Sequence, residues 1–348
     1  MSDFILIVSH LFEPSVNLVI SHLERYGARW RRFNCEDFPL LTTAEFQTRG
    51  GNASFTMRAS GGNWSIQDAR SVWMRRISGP ALPQNLQPGD RSFVRGEVAA
   101  FLEGGLANSD ARWINDRRSE RDASNKLRQL VAAKKIGFAI PETIVSNDAD
   151  AIRDFVERNP GPVLFKPVSG YSPIGADFTD EAQARFSQWG QVAINVEPPR
   201  NDVEIVFAQL LDPEKMKRLD SRQLCPAIFQ KYVAKAYDIR VTVVGREIWA
   251  CRIHSQLSDD TKIDFRKMTL AGNIDEIKHE IFDLTAELEA KILNYMDFFG
   301  LEFGCLDFVE RPDGEFVFLE INPAGQWMWI EQITGAPISE RLATRLMN

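Results

Sequence analysis

Two short apolar segments, residues 305–309 and 315–321, constrain the fold of this chain more than any other feature. Both have the length and composition of β-strands. Between them lies Asp313-Gly314, a dipeptide favoured in two-residue hairpin turns. The two segments are therefore predicted to pair as an antiparallel hairpin around this turn.

The pairing set by this turn brings polar side chains together. Asp307 is expected directly opposite Glu320, and Asn322 shares the face of Glu320 because side chains alternate along a strand. Two carboxylates this close repel each other unless a cation lies between them. A small number of hard oxygen ligands suits Mg²⁺ that is held together with substrate phosphates. The hairpin is therefore a candidate magnesium site formed by Asp307, Glu320 and Asn322.

A solvent-exposed hairpin with polar residues on its wet face would give a similar pattern. Phe316 and Phe318 argue against that alternative, because strict alternation places both on the face of Glu320. The hairpin alone leaves both interpretations open.

Composition excludes several classes of protein. With 348 residues, 44% hydrophobic and 26% charged, the chain has the make-up of a soluble globular protein with two or three subdomains. A net charge of -7 argues against nucleic acid as the main partner. The N-terminus has no signal-peptide pattern, and no apolar run is long enough to span a membrane. The four cysteines are scattered and are interpreted as small buried hydrophobes. We expect a cytoplasmic protein without nucleic-acid or membrane partners.

The order of predicted elements indicates an α/β (α+β) fold. An apolar strand at residues 4–8 precedes a helical pattern at 14–26, and residues 52–67 alternate like a hairpin. Ser119 and Asp122 form a capping-box pattern, which predicts a helix with Leu127, Leu130 and Val131 on one face, ending near residue 137. The first domain boundary is predicted near residue 118.

Several charged residues are candidates for nucleotide binding. Lys126 and Lys166 could hold a phosphate, although an exposed strand end would also explain Lys166. The β-like segment Gln230-Lys231-Tyr232-Val233 offers a backbone that could bind an adenine edge.

A second set of candidates follows this segment. Asp238 and Arg240 share one face of the next strand, and Arg240 could bind a phosphate or carboxylate or form a cross-strand ion pair. Asp264 and Arg266 place an acid and a base two residues apart.

Taken in order, these segments resemble the ATP-grasp superfamily, and more narrowly the graspetide synthetases (microviridin-type peptide ligases that close ω-ester or ω-amide rings). The segments that carry the resemblance are residues 72–76, 113–116, 125–130, 137–138, 140–143, 165–167, 230–233, 238–241, 318–327, 330–331 and 334–335. The run Glu320-Ile321-Asn322-Pro323 is shared by many ATP-grasp ligases, and the Gly-Gln-Trp that follows narrows the match.

The resemblance implies a three-part architecture: an N-terminal pre-ATP-grasp domain (1–118), a central subdomain (119–226) and a C-terminal subdomain (227–348), the last two gripping ATP. It implies ATP and Mg²⁺ as cofactors. The resemblance also implies a role for each candidate residue. Lys126 and Lys166 would contact phosphate, and the adenine would lie against Gln230, Lys231, Tyr232 and Val233, with Asp238 also at the nucleotide. Magnesium would be held by Asp307, Glu320 and Asn322, and Arg240 and Arg266 would stabilise the transferred phosphoryl group.

The activity implied is phosphorylation of Asp or Glu side chains in a ribosomal precursor peptide, followed by ring closure with Thr or Ser (ester) or Lys (amide). The peptide would consist of a leader and a core, with the leader bound around residues 186–226. The protein could also assemble as a homodimer. One alternative is a ligase that joins free amino acids or modifies a protein C-terminus, as RimK does. A second is a nucleotide-binding regulator without catalysis.

Overall fold

The computed structural model describes residues 3–59, 61–77, 79–83, 85–168, 208–217, 219, 225–258, 261–266 and 276–348. Its contacts divide the chain into two compact units, residues 1–117 with 337–348 and residues 118–336. No sequence signal indicated that the C-terminal residues 337–348 pack with the N-terminal unit. The predicted boundaries at residues 118 and 226 remain predictions.

A four-stranded parallel sheet lies at the centre of the first unit, in the order β2-β1-β6-β7. Its strands are β1 (Phe4–Ser9), β2 (Trp30–Asn34), β6 (Ala69–Met74) and β7 (Arg112–Ile114). Every residue of β1 is buried, as expected for a central parallel strand. Helix α1 (Pro14–Arg25) makes the crossover from β1 to β2, so the predicted strand and helix are confirmed.

A three-stranded antiparallel sheet completes the first unit together with two helices. Its strands are β3 (Thr43–Arg49), β4 (Asn52–Ala59) and β5 (Gly62–Ser65), and the helices are α2 (Pro88–Ala107) and α9 (Ile338–Met347). The pairing of β4 with β5 confirms the hairpin predicted between residues 52 and 67. Apolar side chains of both sheets and α2 form the core of this unit.

The second unit contains a small antiparallel sheet in the order β10-β9-β11-β8. Its elements are β8 (Thr143–Ser146), α5 (Ala149–Arg158), β9 (Val163–Pro167), β10 (Gln209–Leu210), α6 (Pro213–Lys217) and β11 (Ala227–Lys231). The apolar side chains of α5 pack on this sheet, with Phe155, Val163 and Phe229 all buried.

A five-stranded antiparallel sheet in the order β14-β13-β12-β15-β16 forms the rest of the second unit. Its strands are β12 (Tyr237–Val244), β13 (Glu247–Ile253), β14 (His279–Phe282), β15 (Phe303–Glu310) and β16 (Phe316–Asn322). The helices of this part are α3 (Arg117–Ala123), α4 (Lys126–Ile136), α7 (Ala286–Phe299) and α8 (Met328–Thr334). Helices α4 and α7 cover one face of the sheet and share its apolar core.

The prediction of a single helix opening at Ser119 was wrong. Helix α3 ends at Ala123, and α4 begins after Asn125, whose side chain accepts hydrogen bonds from the amides of Leu127 and Arg128. An asparagine is a strong N-cap, so it ends one helix pattern and starts another. The predicted apolar face was also wrong.

The buried face of α4 carries Gln129, Ala132 and Ala133, whereas Leu127 and Val131 are exposed. The hydrophobic pattern misled because two small alanines and a hydrogen-bonded glutamine can pack closer to the sheet than a leucine.

The hairpin of β15 and β16 forms as predicted, but with a different loop. Residues 310 and 316 pair at its end, so the loop is longer than the predicted two-residue turn. Between Asp307 and Phe308 the register shifts by one residue, which marks a β-bulge in β16. The bulge compensates for the longer loop, and Asp307 pairs with Glu320 as predicted.

The same bulge changes which face the aromatic side chains occupy. Phe318 and Ile321 both lie in the core beneath α4 and α7, although they are three positions apart and strict alternation would place them on opposite faces. Glu320 therefore lies on the opposite face, and the expectation that Phe316 and Phe318 share its face was wrong. The polar face of the hairpin is separated from an aromatic core behind it.

Among the described residues, none of the helices is sufficiently long and apolar to cross a lipid bilayer.

Candidate active site

The guanidinium of Arg240 binds the Asp307 carboxylate on the next strand. Because β12 pairs with β15, Arg240 lies directly opposite Asp307. Its Nη1 donates to both oxygens of Asp307 at 2.7 and 2.8 Å, and its Nη2 donates to the carbonyl of Gln326 at 2.9 Å. The cross-strand ion pair considered from the sequence is thus present, and it fixes Asp307 from one side.

Glu320 is held by a lysine from helix α4. The ammonium of Lys126, at the first position of that helix, donates to Glu320 Oε2, and both side chains are about nine-tenths buried. Asn322 lies two residues along the same strand, and its Nδ2 is 3.4 Å from both Asp307 Oδ2 and Glu320 Oε1. The three side chains therefore meet at one point on the polar face of the sheet.

Lys166 contributes positive charge from the smaller sheet of the same unit. It lies near the end of β9, is half-buried, and interacts electrostatically with Glu320, Lys126, Arg266 and Asp307. Burial lowers the pKa of Lys166, while Glu320 acts in the opposite direction. Lys166 is therefore not an exposed residue at a strand end, which was the alternative considered from the sequence.

Arg266 completes the cationic side of the site. Its Nη1 is 3.8 Å from Glu320 Oε1, while Nε and Nη2 donate to Asp264 at 2.8 and 2.6 Å. Burial alone would raise the pKa of Asp264, but the hydrogen bond from Arg266 holds it below its ordinary value. Arg266 thus faces two carboxylates, one of which anchors it.

The two facing carboxylates have opposite pKa shifts. Burial acts to raise the pKa of Glu320, but Lys126, Lys166 and Arg266 hold it well below its ordinary value. Burial raises the pKa of Asp307, and the charge of Glu320 adds to this against the opposing effect of Arg240. Four cations around these two carboxylates make the site suited to an additional anion such as a phosphate chain.

The donor set fits a magnesium ion. In the part of the chain that the structure describes, no group of three or more His, Cys, Asp or Glu side chains could hold a metal. A cation here would therefore need Asn322 in addition to Asp307 and Glu320. Because the Asn322 amide is equidistant from both acids, rotating it end for end would place its oxygen beside them. Two carboxylates and one amide oxygen are hard ligands that leave room for phosphate oxygens.

The predicted adenine-binding segment runs along the edge of β11. The Lys231 amide donates to the Glu142 carbonyl and the Tyr232 amide to the Pro162 carbonyl, both at 2.9 Å. Gln230 is buried and its side chain donates to Thr143 Oγ1. Because the N–H of Lys231 already donates to Glu142, the carbonyl of Lys231 is the backbone group that could accept a hydrogen bond from adenine. Val233 follows, outside the strand and half-buried.

Comparison with known proteins shows which ligases this chain is similar to. Residues 4–121 match the family model of the MvdD pre-ATP grasp domain. A RiPP-associated ATP-grasp ligase of Chryseobacterium gregarium, solved with ADP and a leader and core peptide, is 28% identical with a TM-score of 0.83; the match covers 100% of this chain and 97% of that one. Macrocyclase MdnC of Microcystis aeruginosa MRC, bound with precursor peptide MdnA, is 26% identical with a TM-score of 0.81 and 99% coverage of both chains.

Residues 4–121 thus match a pre-ATP grasp domain, and over its whole length the chain resembles RiPP-associated ATP-grasp ligases. The predicted fold class is confirmed by the same structures. A more distant relative is the alpha-aminoadipate–LysW ligase LysX of Sulfurisphaera tokodaii, 23% identical over 245 residues, which are 69% of this chain and 73% of LysX.

One predicted site residue, Asp238, lies apart from the carboxylate pair. Asp238 is buried and accepts hydrogen bonds from Lys235 at 2.8 and 2.7 Å and from the Ser255 hydroxyl at 2.5 Å. Burial raises its pKa against the effect of Lys235. Its oxygens are thus engaged within the protein, and its predicted contact with the nucleotide remains a prediction. The predicted leader-binding stretch, 186–226, lies mostly outside the described residues.

Sequence reasoning missed one residue that shapes the site. Gln129 is buried on α4 and holds β16 through two hydrogen bonds: its Nε2 donates to the Ile321 carbonyl at 2.9 Å, and its Oε1 accepts from the Ile321 amide at 3.2 Å. Ile321 lies between Glu320 and Asn322, so this contact ties α4, and with it Lys126, to the strand carrying both. A polar residue amid a charged helix gave no signal that it would be buried.

Proposed function

We propose that this chain is an ATP- and Mg²⁺-dependent peptide macrocyclase that activates Asp or Glu side chains as acyl phosphates. The observation that carries the proposal is the convergence of Asp307, Glu320 and Asn322 with the cations Lys126 and Lys166 in one unit. Phosphoryl transfer depends chiefly on positioning and charge neutralisation, and this set supplies both.

Each group has a distinct part in the proposed reaction. Asp307, Glu320 and Asn322 would hold magnesium, which neutralises charge on the phosphate oxygens. Lys126 and Lys166 would contact the phosphate chain as point charges. Lys126 donates to Glu320 and Lys166 interacts with it electrostatically, and both hold the pKa of Glu320 below its ordinary value.

The two arginines, Arg240 and Arg266, would bind the transferred phosphoryl group. Arg240, fixed by Asp307 and the Gln326 carbonyl, and Arg266, fixed by Asp264, would steady the oxygens of the γ-phosphoryl group as it moves. The backbone at Lys231 and Val233 would bind the adenine edge. Each arginine is rigid because a carboxylate holds it, which reduces the entropy lost in the transition state.

The proposed reaction has two steps, phosphorylation of a peptide carboxylate and ring closure. A carboxylate oxygen of the peptide attacks the γ-phosphorus of ATP, and ADP leaves with the electron pair of the broken P–O bond. A Thr or Ser hydroxyl, or a Lys amine, then attacks the acyl carbon, loses its proton, and displaces inorganic phosphate. The peptide substrate is proposed because relatives at 28% and 26% identity were solved with a leader and core peptide or a precursor peptide. Assembly as a homodimer remains a prediction.

A ligase that joins free amino acids or modifies a protein C-terminus is the alternative, and the likeness to the alpha-aminoadipate–LysW ligase LysX favours it. It would use the same nucleotide residues with another acceptor. A regulator without catalysis would not need four cations around two buried carboxylates.

Mass spectrometry tests the proposal. The chain is incubated with ATP, Mg²⁺ and the peptide encoded beside its gene, and ADP is measured in parallel. Each ring should consume one ATP and make the peptide lighter by about 18 Da, the mass of one water. Glu315→Gln, which changes an exposed carboxylate in the same hairpin, is the matched control for Glu320→Gln. A mass gain equal to an amino acid would support the alternative ligase, and absence of ADP would contradict both.

A further inference from the structure

A chain of buried polar contacts connects the start of β12 to Arg266. We propose that Lys235, paired with Asp238, is a positioning residue that anchors residues 261–264 and thereby holds Arg266 beside Glu320. The inference rests on the proposed function, in which Arg266 contacts the transferred phosphoryl group.

The first link is the ammonium of Lys235, which is buried with about 4% of its side chain exposed. A lysine ammonium has three donors, and all three are used here. Two go to the oxygens of Asp238 at 2.8 and 2.7 Å, and the third goes to the carbonyl of Ile263 at 3.2 Å. Lys235 thus connects strand β12 to the backbone next to Asp264.

Ser255 and Thr261 provide the second link. The Ser255 hydroxyl donates to Asp238 Oδ2 at 2.5 Å, and the Thr261 hydroxyl lies 2.5 Å from the Ser255 carbonyl. Both side chains are fully buried. The Gln256 side chain also donates to the Lys262 carbonyl at 3.2 Å. Residues 261–264 are therefore fastened at both ends to the Lys235–Asp238 pair.

The third link passes from Asp264 to Arg266. The buried Asp264 carboxylate accepts the amide of Arg266 at 3.1 Å and its guanidinium at 2.8 and 2.6 Å. Three donors on one carboxylate fix both the backbone and the side chain of Arg266. The remaining guanidinium nitrogen, Nη1, is left directed at Glu320, 3.8 Å away.

The Lys235–Asp238 ion pair contributes more to the geometry of the site than to the stability of the fold. A buried ion pair of this kind adds little net stability compared with apolar residues of the same volume, because desolvation offsets the attraction. Its geometric effect is different, since it fixes a backbone carbonyl one residue before the anchor of Arg266. This assigns Asp238 a structural contact with the lysine in addition to its predicted place near the nucleotide.

Hydrogen exchange tests the anchor without any need for catalysis. Lys235→Met/Asp238→Asn removes both charges, so no uncompensated buried charge remains. Amide exchange at residues 261–266 should become at least about tenfold faster in this variant. Glu310→Gln breaks the ion pair of Arg252 with Glu310 in the same sheet, and it should leave that exchange unchanged. Unchanged exchange in the double variant would overturn the proposal.

A double-mutant cycle on ATP turnover tests the link to Arg266. Lys235→Met and Arg266→Met should each lower kcat more than they change KM for ATP, and the combined variant should be no slower than Arg266→Met alone. Lys235→Arg should restore part of kcat, which a general loss of stability would not do. Additive losses would overturn the positioning role. A wild-type chain that makes no ADP would remove the proposed function, and the exchange result would still decide whether Lys235 anchors the segment.

Discussion

Asp307 and Glu320 lie directly opposite each other on β15 and β16, on the other side of the sheet from the core residue Phe318. A β-bulge between the two pairs 307–320 and 308–318 makes this possible, because it lets Phe318 and Ile321 point into the core while Glu320 points away. The bulge thus gives an aromatic core and an acidic face to a single hairpin. Bulges commonly redirect a side chain next to an active site.

The acidic face gives the first prediction. Glu320→Gln, Asp307→Asn and Asn322→Ala should each lower ADP formation by at least about 100-fold, because even outer-shell partners of a metal site matter by 10–100-fold. Circular dichroism and thermal melting check that the fold remains. Asp313→Asn, on the exposed loop of the same hairpin, should retain full turnover. Wild-type ADP formation in Glu320→Gln would contradict the magnesium assignment.

The lysines give the second prediction. Lys126→Met and Lys166→Met should each raise KM for ATP or lower kcat by about 10–100-fold, since a hydrogen bond to a charged group contributes about 1.5–3 kcal/mol. Binding of the precursor peptide, measured by fluorescence anisotropy, should change little. Lys134→Met removes an exposed lysine from the same helix as Lys126 and serves as the control. An ATP dependence like that of wild type in Lys126→Met would show that this lysine does not contact phosphate.

Local sequence patterns predicted some parts of this site and not others. The shared face of Asp238 and Arg240 followed from strand alternation, and the structure confirms it because Ile239 and Val241 lie in the core. The opposition of Asp307 and Glu320 was also correct, although the loop and the bulge that produce it were not foreseen. A bulge depends on packing against α4 and α7, and the hairpin sequence does not contain that information.

A single sequence does not show which residues from distant segments come together at the site. The approach of Lys166 and Arg266 to Glu320 joins segments separated by more than fifty residues, and only the family resemblance indicated it. The burial of Lys235 and Gln129 was not predicted, because a polar residue is buried only when tertiary partners satisfy it. Those partners are the Ile263 and Ile321 backbones.

The turn after β16 gives the third prediction. A Cβ on Gly325 would lie 2.4 Å from the Cβ of Cys305 and 3.1 Å from the Asn322 carbonyl. Gly325→Ala should therefore displace this turn, which carries the Gln326 carbonyl bound to Arg240, and cost about 1–3 kcal/mol. ADP formation should fall together with thermal stability. Gly104→Ala, where nothing lies within 4 Å in helix α2, should be neutral or stabilising. Equal effects of the two substitutions would contradict the steric argument.

A buried histidine in the first unit gives the last prediction, a dependence of stability on pH. Burial lowers the pKa of His10 from 6.5 to about 4, and the nearby Arg76, Arg32 and Arg75 add to this while Glu13 opposes it. The unfolded chain thus binds a proton between about pH 6.5 and 4 that the folded chain rejects, so stability falls as the pH is lowered through this range. At about 1.4 kcal/mol per pKa unit, His10 accounts for about 3 kcal/mol. Urea unfolding near pH 7 and near pH 4.5 should therefore show a smaller loss in His10→Gln than in wild type. An equal loss in both proteins would show that His10 does not carry this dependence.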